Sequence, residues 1–206
     1  MNLISTFRAA MVALPQHKMT VDEYLAWAED HPGRYELYAG TVYAMSPERA
    51  LHGKVKYAVQ TALLAGIKRN RLPCHMLPDG MTVRVDIHTA YEPDALVYCG
   101  GELPDQAVEI PNPVVVVEVL SRSTRRIDSG AKLAGYFNVA SVRHYIVVDA
   151  DRRVIVHHQK TDEGPIRTAI VREGVLALSP PGIELALGDI FPDSAATSGS
   201  QDHPTD

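Results

Sequence analysis

The chain has 206 residues, of which 46% are hydrophobic and 22% are charged, so it can bury one sizeable core and lacks the composition of a disordered protein. Its apolar runs are shorter than the roughly 18 residues that a membrane-spanning helix needs, and we expect no membrane partner. The formal net charge of −5 argues against a protein that coats nucleic acid through its overall field, although it permits a local basic groove.

The first predicted elements are a short helix and a β-hairpin. Thr20 and Glu23 form the capping-box pattern that opens a helix, which we expect to end near residues 31–33. Ala39 and Gly40 then separate two strand-like runs. Because glycine tolerates the positive φ that a tight turn needs, this pattern predicts a hairpin.

The longest predicted helix follows this hairpin. Ser46 and Pro47 have the pattern of an N-cap followed by proline at the first helical position. Apolar side chains and one histidine then recur at spacings of three and four residues. This spacing indicates one buried helix face, formed by His52, Val55, Val59, Leu63 and Ile67.

The second half of the chain contains strand signals around one aliphatic run. Strands are predicted at residues 81–85 and 95–99, and residues 114–120 are aliphatic except for Glu118. Such a run is typical of a central strand covered by helices on both faces. After a polar stretch and a second helix, we expect strands at residues 144–148, 154–158, 167–172 and 182–187. The order of elements predicts an α/β or α+β fold, in which helices flank a central mixed β-sheet.

The sequence predicts one domain over residues 14–192, between an extension over residues 1–13 and a small, polar, disordered tail over residues 193–206. The only cysteines, Cys74 and Cys99, are far apart and lack metal-site spacing. This usage is typical of reduced thiols in a cytoplasmic protein, with a disulfide between the two as the alternative. We therefore expect a cytoplasmic location.

Glu118 carries the strongest chemical signal in the sequence. An ionised carboxylate inside a run of valines costs several kcal/mol unless a cation or strong donors compensate it. Asp94 follows Pro93 at the start of another apolar strand, and it can reach the same place if the two strands are neighbours. Two carboxylates aimed at one point predict a hard divalent cation. Lys132, on the helix that follows, can supply a fixed positive charge.

Each of these residues also has a structural interpretation. The alternative for Glu118 is one half of a buried ion pair. The alternative for Asp94 is a residue that starts a strand or turn. Asp128 and Lys132 have the spacing of an ordinary exposed pair on a helix. His52 lies among apolar neighbours, where a histidine is more often a satisfied core residue than a metal ligand.

Positive charge is concentrated between the aliphatic run and the second helix. Four basic residues stand there against one acidic residue, a local excess of three charges: Arg122, Arg125, Arg126 and Lys132 against Asp128. A solvated loop and a phosphate-binding surface both have this composition. The three arginines are therefore candidate contacts to nucleic acid.

Several short motifs follow one another along the chain: Tyr35-Glu36-Leu37, Met45-Ser46-Pro47 with His52, Pro93-Asp94, Val117-Glu118-Val119-Leu120-Ser121, Asp128 with Lys132 and Tyr136, and Tyr145-Ile146-Val147-Val148-Asp149. Over residues 14–160 their order resembles the bacterial Uma-two family, which is similar to the PD-(D/E)XK nuclease superfamily. The resemblance implies a restriction-endonuclease-like core, with a central mixed sheet between helices.

The resemblance also implies roles for the acidic residues. By it, Asp94 is the aspartate of the PD element and Glu118 is the acidic residue of the (D/E)XK element. The lysine expected two residues after Glu118 is replaced by Leu120. Lys132, on the next helix, is expected to take the place of that lysine.

The implied function is hydrolysis of DNA phosphodiester bonds, with Mg²⁺ or Mn²⁺ held by Asp94, Glu118 and the carbonyl of Val119. Glu36 matches a further acidic position of the family and is a candidate catalytic residue, and His52 matches a position that can support the site. A homodimer is also implied. The alternatives are a catalytically silent nucleic-acid-binding or assembly protein on the same fold, and an enzyme for small phosphodiesters.

Overall fold

The computed structural model describes residues 14–120 and 129–191. The helices are α1 (Val21–Glu29), α2 (Ala50–Arg69), α3 (Ser129–Asn138) and α4 (Leu187–Ile190). The strands are β1 (Tyr35–Tyr38), β2 (Thr41–Ala44), β3 (Cys74–Pro78), β4 (Val83–Asp86), β5 (Thr89–Tyr91), β6 (Ala95–Cys99), β7 (Pro113–Leu120), β8 (His144–Asp149), β9 (Val154–Gln159), β10 (Arg167–Val171), β11 (Val175–Leu178) and β12 (Ile183–Ala186).

The centre of the fold is a six-stranded sheet with the order β10-β9-β8-β7-β6-β3. The pair β7–β8 is parallel and the other neighbours are antiparallel, so the sheet is mixed, as the sequence predicted. Alternate residues of β7 lie in two apolar clusters, one on each face of the sheet. Val115 and Val117 pack with α2, whereas Val116 packs with residues of α3 such as Tyr136. Burial on both faces explains why this strand is aliphatic except for Glu118.

A second, four-stranded sheet with the order β2-β1-β5-β4 lies with α1 around a third apolar cluster. Thr20 and Glu23 make both bonds of the predicted capping box. The predicted hairpin is β1–β2, and both turn residues adopt positive φ, 47° at Ala39 and 76° at Gly40. Strand β1 of this small sheet carries Glu36.

The long helix begins later than the sequence predicted. Arg49 is the N-cap of α2, so Ser46 and Pro47 lie in the preceding loop. Its predicted face is buried, with His52 and Val55 both under 10% exposed. Neither α2 nor any other helix within residues 14–120 and 129–191 is long and apolar enough to cross a bilayer.

The cysteines correct an expectation. Cys74 on β3 and Cys99 on β6 are directly opposed in the antiparallel pairing, with Cα atoms 3.9 Å apart, and form a disulfide. The expectation of two reduced thiols is therefore wrong for this structure. Sequence separation concealed the contact, because only the register of β3 against β6 brings the two residues together. The cysteines thus give no support for a reducing compartment.

Candidate active site

Three buried charged side chains from three different elements meet beside the central sheet. Nζ of Lys132, on α3, lies 2.8 Å from Oε1 of Glu118, on β7, and 2.8 Å from Oε1 of Glu36, on β1. The side chains of Glu36, Lys132 and Glu118 are 8%, 12% and 13% exposed. Alternation along β7 directs Glu118 to the α3 side, the face of Val116. We call these three residues the Lys132 cluster.

Burial and the neighbouring charges together set the protonation of the Lys132 cluster. Burial is the main cause that raises the pKa of Glu118, and the carboxylates of Glu36 and Asp94 add to this rise. The charge of Lys132 opposes it, and the resulting pKa is about 7. Burial also disfavours a charged Lys132, but the carboxylates of Glu118 and Glu36 outweigh burial and raise the lysine pKa. Lys132 is therefore an ammonium ion at neutral pH.

Tyrosines surround the ammonium group. The hydroxyl of Tyr136 donates a hydrogen bond of 2.7 Å to Oε1 of Glu118, and burial raises the pKa of Tyr136 well above its usual value, so this hydroxyl keeps its proton. The ring centroid of Tyr91 lies 5.2 Å from Nζ of Lys132. A Cβ atom at Gly135 would come within 2.8 Å of the Tyr91 ring, so glycine permits α3 to approach β5 this closely.

Asp94 is held by the backbone of β7, next to the Lys132 cluster. Its N–H donates to the carbonyl of Val117, and its Oδ2 accepts a 2.7 Å hydrogen bond from the N–H of Val119. Its own carbonyl accepts from the side chain of Gln60, on α2. Strands β6 and β7 are thus neighbours, which is the condition for Asp94 to reach the region of Glu118. No described hydrogen bond joins the Asp94 carboxylate to Lys132.

His52 lies on the other side of Asp94. Its Nε2 is 3.5 Å from Oδ1 of Asp94 and 4.0 Å from Oε1 of Glu48. The side chain is 6% exposed, yet neither ring nitrogen has a hydrogen-bond partner among the described residues. His52 is therefore buried without the hydrogen bonds that normally satisfy a core histidine.

Sequence reasoning missed a second lysine with carboxylates around it. Nζ of Lys56, on α2, contacts Oε1 of Glu48 and lies 2.9 Å from Oδ2 of Asp79. We call these three residues the Lys56 cluster. Arg34 also pairs with both acids, at 2.8 Å each. The sequence did contain a signal, because Lys56 follows His52 by one helical turn and interrupts an otherwise apolar face.

Most of the remaining predicted site residues lie outside the part of the chain that the structure describes. Arg122, Arg125, Arg126 and Asp128 lie outside the described residues. Val119 is described, and its N–H is the donor to Asp94. The structure thus brings Glu36, Glu118 and Lys132 into direct contact and places Asp94 beside them, with His52 behind Asp94.

Known proteins are similar to this chain in sequence or in fold. A family model named Uma2 and described as "Putative restriction endonuclease" matches residues 21–195. The uncharacterised protein slr1290 of Synechocystis sp. is 28% identical over 154 residues, which cover 73% of this chain and 78% of that protein. A crystal structure of a "putative nuclease belonging to DUF820" from Anabaena variabilis has the same fold, with a TM-score of 0.66 and 16% identity over 84% of this chain and 97% of that chain. Because the family match spans most of the sequence, the chain belongs to the Uma2 family.

Proposed function

We propose that this protein is a metal-dependent endonuclease that hydrolyses DNA phosphodiester bonds, with Asp94, Glu118 and Lys132 at the centre of its active site. The observation that carries the proposal is the buried Lys132 ammonium, held at 2.8 Å from both Glu118 and Glu36 beside Asp94. A fixed cation next to two acids on adjacent strands is suited to phosphoryl chemistry. The Uma2 family is described as "Putative restriction endonuclease" and the Anabaena protein as a "putative nuclease", and both descriptions support the same function.

The two central carboxylates fit a hard divalent cation. The described hydrogen bonds to Glu118 all reach Oε1, and the N–H of Val119 binds Oδ2 of Asp94. Glu118, Asp94 and the carbonyl of Val119 would hold such an ion, and Oδ1 of Asp94 also lies 3.5 Å from Nε2 of His52. When bound, Mg²⁺ or Mn²⁺ supplies Lewis acidity and lowers the pKa of a coordinated water.

The side chains of the chain itself position the reactants. Lys132 stabilises the negative charge that develops on the phosphate, because its ammonium is fixed before the substrate arrives. Glu36 and the hydroxyl of Tyr136 keep the ammonium and the Glu118 carboxylate in place. Arg125 and Arg126 attract the DNA backbone through their charge.

A cleavage assay tests this proposal. Supercoiled plasmid, linear DNA and bis(p-nitrophenyl) phosphate are incubated with the protein and Mg²⁺, Mn²⁺ or Ca²⁺, with Glu118→Gln as the control against a contaminating nuclease. Nicking or linearisation that the control loses supports the proposal. Hydrolysis of the small diester alone identifies a small-molecule phosphodiesterase instead. No hydrolysis with any metal overturns the catalytic claim in favour of a binding protein.

A homodimer belongs to the same proposal, because a pair of sites could cut both DNA strands. Light scattering of the purified protein measures its mass directly. A mass of one chain at the concentrations used for cleavage would contradict this part.

A further inference from the structure

A possible ligand set lies on the α2 side of Asp94, away from Lys132. Within residues 14–120 and 129–191, one set of three His, Cys, Asp or Glu side chains offers ligand atoms that all lie within 4.8 Å of one another: Glu48, His52 and Asp94. The set spans the loop before α2, the first turns of α2 and the residue before β6. Asp94 belongs to this set and to the proposed nuclease site.

The histidine of this set is an unsatisfied polar group. Both ring nitrogens of His52 are buried and lack hydrogen-bond partners among the described residues, although the side chain is only 6% exposed. Burial of a polar group without a partner is unfavourable, so an unpaired buried imidazole indicates a bound water, a bound ion or a functional role. Its Nε2 points to the two carboxylates, at 3.5 Å from Asp94 and 4.0 Å from Glu48.

The surrounding charges show that this place already attracts cations. Lys56 contacts Glu48, and its Nζ is 3.9 Å from Oδ1 of Asp94. A metal ion that binds Glu48 would displace this ammonium from Glu48. Lys56 would keep its ion pair with Asp79, at 2.9 Å, so the displacement leaves no charge stranded.

We propose that Glu48, His52 and Asp94 form a binding site for a divalent transition-metal ion, with Nε2 of His52 and one carboxylate oxygen from each acid as ligands. An imidazole ligand favours Mn²⁺ and Zn²⁺ over Mg²⁺, which binds oxygen ligands almost exclusively. The site therefore prefers Mn²⁺ to Mg²⁺. Any role of this ion in cleavage rests on the function proposed above, whereas the binding of the ion does not.

Electron paramagnetic resonance of Mn²⁺ tests the proposal without any measurement of activity. Titration of wild-type protein should show a bound ion, and spin-echo modulation should show a directly coordinated ¹⁴N nucleus. His52→Gln should abolish this modulation and weaken Mn²⁺ binding by about tenfold or more. His75→Gln is the matched control, because His75 lies on β3 at the end remote from Asp94 and should change neither signal.

Two further variants keep the test decisive if His52→Gln does not fold. Glu48→Gln changes a side chain that is 28% exposed, and it should weaken Mn²⁺ binding while the ¹⁴N modulation remains. Glu118→Gln should also retain the modulation, because Glu118 is outside the ligand set. Bound Mn²⁺ without nitrogen modulation in the wild type, or modulation unchanged in His52→Gln, would overturn the inference.

The result is separate from the outcome of the cleavage assay. Cleavage supported by Mg²⁺ together with Mn²⁺ that lacks a nitrogen ligand would refute only the histidine site. A nitrogen-coordinated Mn²⁺ in a protein that cleaves no phosphodiester would refute only the nuclease.

Discussion

The Lys132 cluster and the Lys56 cluster contain the same groups, one lysine between two acids, in different surroundings. The two lysine side chains are equally buried, 12% exposed for Lys132 and 11% for Lys56. Their acids differ. Glu36 and Glu118 are 8% and 13% exposed, whereas Glu48 and Asp79 are 28% and 26% exposed.

The exposure of the acids determines how costly the loss of each lysine is. The acids of the Lys132 cluster have little water to replace an ammonium, and burial already raises the pKa of Glu118 to about 7. The acids of the Lys56 cluster retain contact with water and also pair with Arg34. Although the contact distances are similar, we therefore expect Lys132 to be a fixed cation and Lys56 to be a cation that another ion can replace.

The largest expected effect is on cleavage. Lys132→Ala should lower turnover by about a hundredfold or more with metal affinity nearly unchanged, because it removes a charge that acts on the transition state. Lys56→Ala should change turnover by less than about tenfold, since Nζ of Lys56 pairs mainly with Glu48 and Asp79 and approaches Asp94 only to 3.9 Å. Single-turnover cleavage below the melting temperatures measures both. Equal losses in the two variants, or a Lys132→Ala chain that is unfolded by circular dichroism, would favour a structural role for Lys132.

Thermal unfolding with and without Mn²⁺ tests the difference between the buried acid Glu118 and the more exposed acid Asp79. Metal-free Glu118→Gln should lie within about 1 kcal/mol of wild type or be more stable, because burial disfavours the ionised form and Lys132 keeps Glu36. In the wild type, Mn²⁺ at a hundredfold excess over Kd should add about 2.7 kcal/mol. This gain should shrink in Glu118→Gln and persist in Asp79→Asn. A metal-free Glu118→Gln far below wild type, with no metal response in either protein, would indicate a structural ion pair.

Two buried histidines, His144 and His157, differ from the two lysine clusters because they are buried in the neutral form. His144 lies 2.8 Å from His157 and 2.7 Å from the carbonyl of Pro180, which only accepts, so His144 Nε2–H donates to Pro180 and His157 Nε2–H donates to Nδ1 of His144. Burial, together with the neighbouring His144 and His158, lowers the pKa of His157 to about 4. Burial also lowers the pKa of His144, with Arg143 opposing its protonation.

Stability should therefore be retained above pH 6.5 and fall as the pH decreases towards 4, because the unfolded chain binds protons that the fold excludes. His157→Gln keeps a donor to His144 and removes one titration. It should reduce this pH dependence by about 2 kcal/mol. Urea unfolding at pH 7.5 and 4.5 measures how much the free energy of unfolding changes with pH in each protein. An identical change in wild type and His157→Gln would contradict the lowered pKa of His157.

The smallest expected effect concerns charges outside both clusters. Reversal of Arg125 and Arg126 to glutamate should weaken DNA binding by about tenfold and flatten its salt dependence, because fewer counterions are released. Fluorescence anisotropy across salt concentrations measures both quantities. The matched control reverses Lys68 and Arg69, in the last turn of α2, which should leave the salt slope unchanged. Equal effects of the two reversals would place the DNA elsewhere.

The sequence predicted those parts of the fold that depend on local pattern. The aliphatic run of β7 predicted a central strand, and the Ala39-Gly40 pair predicted the β1–β2 turn. Strands β3, β5 and β11 and helix α4 were not predicted, although strands of similar length such as β4 and β6 were. Their formation depends on tertiary contacts, such as the pairing of β3 with β6, for which the local sequence carried no distinct pattern.

The sequence likewise predicted only those parts of the candidate site that a local pattern indicates. The pattern around Glu118 indicated a buried acid that needs a cation, and the structure brings Lys132 to it. Lys56 was not predicted because it lies on the apolar face of α2, and its partner Asp79 is distant in sequence. Glu48 was missed because its contacts with Lys56 and Arg34 depend on the loop before α2, where the sequence predicted helix.

The position of Glu36 on the small sheet has a consequence for folding. Lys132 and Glu118 are 14 residues apart in sequence, whereas Lys132 and Glu36 are 96 residues apart. Closing a longer loop costs more entropy and is slower, so the first contact can form while the small sheet is still detached. Glu36 completes the site only after β1 has docked on the rest of the fold. A chain with a native central sheet but an undocked hairpin would be compact and inactive, and recovery of activity during refolding would report the docking step.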